Sequence, residues 1–307
     1  MAFNVLKSGM LALVQDLGRH GYQHLGVTTG GPMDELAFRW ANALLDNPDN
    51  SAQIEITFGM FTLEAQAPTS IALTGANLGA TLNDRPILPW QTHAIQKGDI
   101  LQFKQPSHGL RAYLAVKGGF DVAPILGSVA TVMRESLGGQ TGKGHKLQKG
   151  DVLPYTATSK HDQKIVPRIA IPNYDSKDIA VVMGYQFDTF SGLDRARFFG
   201  SEFTVTPQSD RMGYRMSGQA INGNKKGIIS EGIAYGSVQI PNDGQPIILL
   251  RDRQTIGGYP KIGCVTSFSG GLLSQKQPGD TIGFQCVSVD QAERERHLQL
   301  ARIAQWR

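Results

Sequence analysis

Between Ala52 and Phe103 the chain carries a succession of short apolar runs: Gln53 to Phe58, Met60 to Glu64, Ser70 to Thr74, Ala80 to Leu82 and Ile100 to Phe103. Turn-forming clusters at Gly75-Ala-Asn77, Asn83-Asp84 and Lys97-Gly98-Asp99 fall between them. Neighbouring strands can pair in parallel only through a crossover connection, usually a helix, and no helical pattern fills these gaps. The runs are therefore expected to pair antiparallel, in a barrel or sandwich. The 36 glycines and 15 prolines among 307 residues supply the turns that such a fold needs.

The flanking segments fit the same class. Val5 to Val14 reads as an opening strand or hairpin turning at Ser8-Gly9, and Asp16 to Gly31 as a polar, Gly-rich loop carrying Arg19, His20 and His24. The histidines are four apart, but no nearby carboxylate completes a metal set, so no metal site is assigned. Met33, Leu36, Ala37, Trp40, Ala41 and Leu44 recur at helical spacing and predict a helix over 33–45, with Pro32 near its first turn and Asn47-Pro48 ending it. Leu110 to Val116 is a further strand. Gly142-Lys143 invites a phosphate-loop reading, but no Gly precedes it by five positions and no Ser or Thr follows, so none is assigned.

After the polar stretch Ser159 to Asp162, a second β-rich block runs through Ile165 to Ile171, Ile179 to Met183, Phe203 to Thr206 and Ile228 to Ile240. The expected domains are 1–160 and 161–307. Ile54-Glu-Ile-Thr-Phe-Gly59 echoes Ser230-Glu-Gly-Ile-Ala-Tyr-Gly236, and Lys97-Gly-Asp-Ile-Leu-Gln-Phe103 echoes Pro278-Gly-Asp-Thr-Ile-Gly-Phe284, which suggests an internal duplication. Asp290 to Arg307 is expected to close the chain as an amphipathic helix with Ala292, Leu298, Leu300, Ile303 and Trp306 as its apolar members.

A net charge of +4 with no basic block gives nucleic-acid binding no support. Cys264 and Cys286 have no Cys-x-x-Cys spacing, so neither a disulfide framework nor a thiolate zinc site is expected. No run has the apolar length of a membrane span, and Met10 to Val14 is too short for a signal peptide. The expectation is a cytoplasmic protein.

Function concentrates in Ile248-Ile-Leu-Leu-Arg-Asp-Arg-Gln-Thr-Ile-Gly-Gly-Tyr-Pro-Lys-Ile-Gly263. A core strand here delivers Arg251, Asp252, Arg253 and Gln254 to a Gly-Gly loop and then to Tyr259-Pro260-Lys261. Rigid elements that end in polar loops hold binding groups in place. A fork-shaped Arg suits carboxylate or phosphate, and Lys261 offers a point charge for a developing oxyanion. Asp210 or Glu231 would serve as a base or anchor an Arg. Equally open is that Asp210 with Arg253, or Glu231 with Arg215, form structural ion pairs.

The phrase Asp252-Arg-Gln-Thr-Ile-Gly-Gly-Tyr-Pro-Lys-Ile262, with Ser209-Asp-Arg-Met-Gly-Tyr-Arg215 and Ser230-Glu-Gly232, closely resembles the biotin-dependent carboxyltransferase family. Gln15-Asp-Leu-Gly-Arg-His-Gly-Tyr22, Gly30-Gly31-Pro-Met-Asp34 and Arg39-Trp-Ala-Asn42 look like that family's opening. Its members include KipA proteins, allophanate hydrolase subunit 2, the carboxyltransferase region of urea amidolyase and the free-standing C subunit of bacterial 5-oxoprolinase.

The resemblance implies an all-β fold, mainly β, of tandem cyclophilin-like β-barrels with a few short helices. It also implies a cleft with Asp210, Lys261 and Glu231 as catalytic candidates, and Arg215, Arg253, Gln254, Tyr259, Arg211, Asp16, Arg19 and Asp34 as ligand-binding candidates. Arg251 departs from the family, which usually has a small residue there. No biotin-acceptor phrase or nucleotide signature is present, so the chain is expected to act as one subunit, inactive alone. The first expectation is a 5-oxoprolinase subunit working with a KipI-type subunit and a LamB/YcsF-type subunit on a small-molecule substrate, with ATP and Mg²⁺ shared with the partner. The alternatives are a carboxyltransferase component that uses carboxybiotin and a urea-like acceptor, or a KipA-like regulator that sequesters a KipI-type kinase inhibitor.

Overall fold

A computed structural model describes residues 1–222 and 228–306. The chain forms two compact units: the first comprises Met1–Arg19, Gly30–Tyr174 and the stretch from Gln299 onward, the second His20–Thr29 and Asp175–Leu298. Division therefore falls beyond the polar stretch at 159–162. The reason is long-range pairing: Thr92 N–H donates to Lys164 C=O (3.0 Å), Val166 N–H donates to Trp90 C=O (2.9 Å), and the Tyr174 hydroxyl donates to Asp34 (2.6 Å). These bonds hold 164–174 to the first unit.

The first unit contains two antiparallel sheets. One runs in the order Val152–Pro154, Ala2–Ser8, Phe61–Ala65, Ile100–Gln102, Thr81–Leu82, Arg85–Pro86; the other Leu11–Gln15, Gln53–Thr57, His108–Val116, Thr69–Asn77, Gln91–Ile95. Their inward side chains, among them Phe3, Ile54, Leu63, Ile71, Leu101 and Leu114, form one buried cluster. Helix Glu35–Leu44 packs on the second sheet, where Gln53 and Thr74 side chains donate to the Phe38 and Ala37 carbonyls (2.8 and 2.7 Å). That sheet is thereby covered on both faces, which accounts for the uninterrupted burial of Gln53–Thr57. The helix starts two residues later than its apolar period suggests. Asp34 caps it by accepting from Ala37 N–H at 3.1 Å, and the Met33 N–H goes to Glu55 instead (2.8 Å).

The second unit is a closed barrel in the order Asp178–Met183, Lys261–Val265, Ser237–Gln239, Ile247–Leu249, Gly213–Gly218, Glu202–Val205, Thr281–Val287. Antiparallel pairs make up the barrel except where the first and last strands close it in parallel. Closure leaves no sheet edge to protect. Inside, Phe198 stacks on Phe284 (centroids 4.4 Å, planes 14° apart) and Phe203 tilts against Phe284 at 5.5 Å. Phe198 comes from helix Gly192–Gly200, which Ser191 caps by accepting from Asp194 N–H at 3.1 Å. Helix Ser267–Ser274 starts at a Thr266 cap in the same way.

The expected mainly β fold with short helices is what the structure shows, the closed barrel lying in the second unit and two sheets in the first. The C-terminal helix spans Val289–Trp306, and Arg307 lies outside the described residues. Of its expected apolar members only Ile303 is buried, and Trp306 meets Trp40 edge-on at 6.0 Å. Among the described residues no helix is long and apolar enough to cross a membrane.

The echo at Gly98-Asp99 and Gly279-Asp280 proves to be one turn built alike. Asp99 and Asp280 carboxylates accept from the Gln96 and Gln277 N–H groups (2.7 and 2.8 Å), around glycines at φ +87° and +99°. Gln148-Lys-Gly-Asp151 repeats it a third time, with Asp151 accepting from Gln148 N–H at 2.8 Å and Gly150 at φ +94°. Such a turn closes strands wherever it occurs, so its sharing alone does not argue duplication.

Candidate functional site

Cross-strand register sets the second unit's polar groups in rows. Lys261 pairs with Gln239, Gln239 with Ile247 and Ile247 with Arg215, which makes one row. Cys264 pairs with Ser237, and Leu249 with Gly213, nearer the opposite barrel end. Lys261 opens its strand with its side chain 9 % exposed. Beside it, Glu231–Gly232 and Ile256–Gly257 pair as a two-residue ribbon. A Cβ on Gly257 would sit 2.7 Å from Ile233 Cδ1 and 3.1 Å from Gln239 Nε2, so side-chain ends crowd this strand of the ribbon.

The Lys261 Nζ forms an ion pair with Glu231 Oε1. Gln186 bridges the two elements: its Oε1 accepts from the Lys261 backbone N–H at 2.6 Å, and its Nε2 donates to Glu231 Oε1 at 2.9 Å. The Tyr185 hydroxyl donates to Glu231 Oε2 and takes a second Gln186 contact at 3.1 Å. Burial alone would raise the Glu231 carboxyl, but the hydrogen bonds from Lys261 and Tyr185 hold it below the usual carboxylate range. The same bond raises the Tyr185 phenol. A buried ammonium is costly unless paired. Glu231 supplies that pairing and leaves a fixed, desolvated cation able to draw in a developing anion. Tyr185, 76 % exposed, is the open end of the cluster.

The other candidates fall elsewhere. Asp210 does not join Lys261 and Glu231. It lies past the Gly213 end of its strand, and among the described residues its carboxylate accepts only from the Met212 and Gly213 N–H groups of its own turn (2.8 and 3.2 Å). Arg211 forks onto Asp252 with two bonds of 2.9 Å, both side chains buried. Arg253 donates to the Ile233 and Leu250 carbonyls (3.1 and 3.2 Å), and burial with Arg251 nearby lowers its pKa. Arg215 pairs with Asp243 at 2.5 Å. These partners differ from the alternative of Asp210–Arg253 and Glu231–Arg215 ion pairs. Gln254 keeps a buried Oε1 without a partner among the described residues, and Tyr259 is half exposed. The unusual Arg251 lays its guanidinium 4.4 Å over the Tyr235 ring, a cation–π contact.

In the first unit the three candidates bond within that unit. Asp16 accepts from Ser128 Oγ, Val129 N–H and Gly18 N–H (2.5, 2.9 and 3.0 Å). Arg19, almost wholly buried, donates to the Ile125, Ser128 and Ala130 carbonyls. Asp34 caps its helix and receives Tyr174. Among the described residues no group of His, Cys, Asp or Glu stands together as a metal set.

Sequence reasoning missed Tyr185 and Gln186. The signal was present in Ile179–Met183 followed by Gly184-Tyr-Gln, a core strand ending in polar residues, which is the same pattern that singled out Lys261.

The fold as a whole has counterparts among known proteins. Residues 25–286 match the carboxyltransferase domain family, subdomains A and B, and the chain belongs to that family. It is 36 % identical to the 5-oxoprolinase C subunit of Escherichia coli K12, over 96 % of this chain and 94 % of that one. The corresponding C subunit of Haemophilus influenzae is also 36 % identical, over 93 % and 91 %. Among solved structures, Kluyveromyces lactis urea amidolyase superposes with a TM-score of 0.92 at 29 % identity, covering all of this chain and 20 % of that one.

Proposed function

We propose that the chain serves as the C subunit of an ATP-dependent 5-oxoprolinase, working with a KipI-type subunit and a LamB/YcsF-type subunit to convert 5-oxoproline to L-glutamate. The observation that carries this reading is the 36 % identity to the E. coli C subunit spread over 94 % of that relative's length. In this reading Lys261 and Glu231 are the working pair, bordered by Gln254 and Tyr259 on the loop that leads into Lys261, and by Arg215 on its row.

Ring opening breaks the lactam C–N bond; water supplies the hydroxyl for the carbonyl carbon and a proton for nitrogen, and ATP hydrolysis drives the reaction. Negative charge gathers on the lactam oxygen as its carbon is activated, and a fixed ammonium such as Lys261 lowers the cost. Glu231 holds that ammonium in place through their ion pair.

ATP and Mg²⁺ are assigned to the assembled complex, because the donor set here does not fit a self-contained site for them. Among the described residues no metal set stands together, and the buried Arg211 and Arg253 are already bonded to Asp252 and to backbone carbonyls. No step is routed through them in this chain.

A second reading has one observation in its favour, the TM-score of 0.92 to K. lactis urea amidolyase. It is a carboxyltransferase component that accepts CO₂ from carboxybiotin on another protein and passes it to a urea-like acceptor. The test combines the purified chain with its KipI-type and LamB/YcsF-type partners and follows glutamate release from 5-oxoproline. Release is expected only with all three proteins and ATP. Carboxylation of urea with a biotinylated carrier, while 5-oxoproline stays intact, would replace the first reading with the second.

A further inference from the structure

Gln186 bonds to both members of the Lys261–Glu231 pair and to Tyr185. The side chain is buried, reaches the pair from the loop after strand Asp178–Met183, and meets both members on separate elements. Its Oε1 fixes the Lys261 backbone through the N–H at 2.6 Å, where Lys261 begins its strand. Its Nε2 donates to the Glu231 oxygen that also takes the Lys261 ammonium, at 2.9 Å, and to the Tyr185 hydroxyl at 3.1 Å. One neutral amide therefore sets the height of the lysine, the rotation of the carboxylate and the place of the phenol.

We infer that Gln186 is a positioning residue for this reaction, holding the Lys261 ammonium and the Glu231 carboxylate in the geometry that the substrate meets. The inference rests on the reading of the pair as the functional centre. Only a neutral group of this shape serves. Glutamate would set a second carboxylate against Glu231, and two carboxylates that close cannot both ionise freely. Methionine would keep the length and bulk while giving up every hydrogen bond. The titratable groups facing Gln186 are Glu231 on the ribbon, Lys261 on the barrel strand and Tyr185 beside it in the loop.

Two measurements test this on the full chain. The first needs no substrate: the Glu231 carboxyl is titrated by NMR in the wild type and in Gln186→Met. In the variant the titration should move up towards the ordinary carboxylate range, because one donor to the ion is lost, while the barrel's amide spectrum away from the site stays the same. An unmoved Glu231 titration with the fold intact would overturn the inference.

The second uses the three-protein assembly with 5-oxoproline. Gln186→Met should lose about tenfold or more in kcat, as expected for a lost hydrogen bond to a charged group, with KM changed much less. Gln186→Glu should add an ionisation to the pH–rate profile that the wild type and Gln186→Met lack. Wild-type kcat in Gln186→Met would also overturn the inference. If the wild-type assembly does not turn over 5-oxoproline at all, the proposed function fails while the titration still decides the role of Gln186.

Discussion

A lysine side chain taken almost out of water needs a counter-charge, and at Lys261 the counter-charge is a carboxylate whose other oxygen is held by a tyrosine. That arrangement has a pH signature. Because the folded state holds Glu231 below its ordinary value, its contribution to stability is complete above the unfolded value of roughly 4.3 and is lost as the pH falls through the depressed one. Glu231→Gln should lose about 1–3 kcal/mol at neutral pH, and the gap to the wild type should close in acid. Asp46, Asp194 and Asp243 are depressed too, but they are common to both proteins and cancel in the comparison. Urea midpoints measured across this range check it, and parallel curves would deny the pair a stabilising role. Residue types marked Lys261 and Glu231 as polar groups set among glycines, and only the family resemblance made them catalytic candidates. Residue types could not announce Asp210 as a turn cap, because a carboxylate that bonds the amides two and three residues on is written like one that awaits a ligand.

At the level of elements, the long apolar runs became strands with shifted ends, while Ile165 to Ile171 holds only an isolated bridge at Ile165 and the 3₁₀ turn Arg168–Ala170, and Ile228 to Ile240 only the short strands Glu231–Gly232 and Ser237–Gln239. Gln53 to Phe58 became Gln53–Thr57, and Leu110 to Val116 lengthened to His108–Val116. Helices Gly192–Gly200 and Ser267–Ser274 were not legible. The first buries only Asp194 and Phe198, and the second contains paired glycines that count against helix, so neither has an apolar period. Their caps, Ser191 and Thr266, were the better signal.

Close packing in the barrel makes a sharp glycine prediction. Gly236 has φ +83°, and a Cβ there would lie 2.3 Å from the Val265 carbonyl oxygen, an atom held by the backbone. Gly236→Ala should cost about 1–3 kcal/mol or more. Gly283→Ala, where nothing lies within 4 Å, should fall within about 0.5 kcal/mol of the wild type. Thermal or urea unfolding of the two variants separates them, and equal stabilities would contradict the packing described here.

Over the whole molecule, composition and long-range contacts divide the chain at different places. Polar composition marked 159–162, whereas the chain leaves the first unit after Tyr174, because that stretch bonds to the Gln91–Ile95 edge and to Asp34. Pairings of this kind join residues about seventy or more positions apart, and no local pattern records them. The same holds for 20–29, which joins the second unit and bonds there through Thr28 to the Arg253 carbonyl at 3.1 Å. Family membership was legible from whole phrases, and the match over residues 25–286 agrees with it.

If the Lys261–Glu231 pair does the chemical work of the proposed 5-oxoprolinase assembly, ATP-dependent glutamate release by the three-protein complex carrying Lys261→Met should fall about a hundredfold or more with the complex still assembled; release at the wild-type rate would show that the pair has no such role.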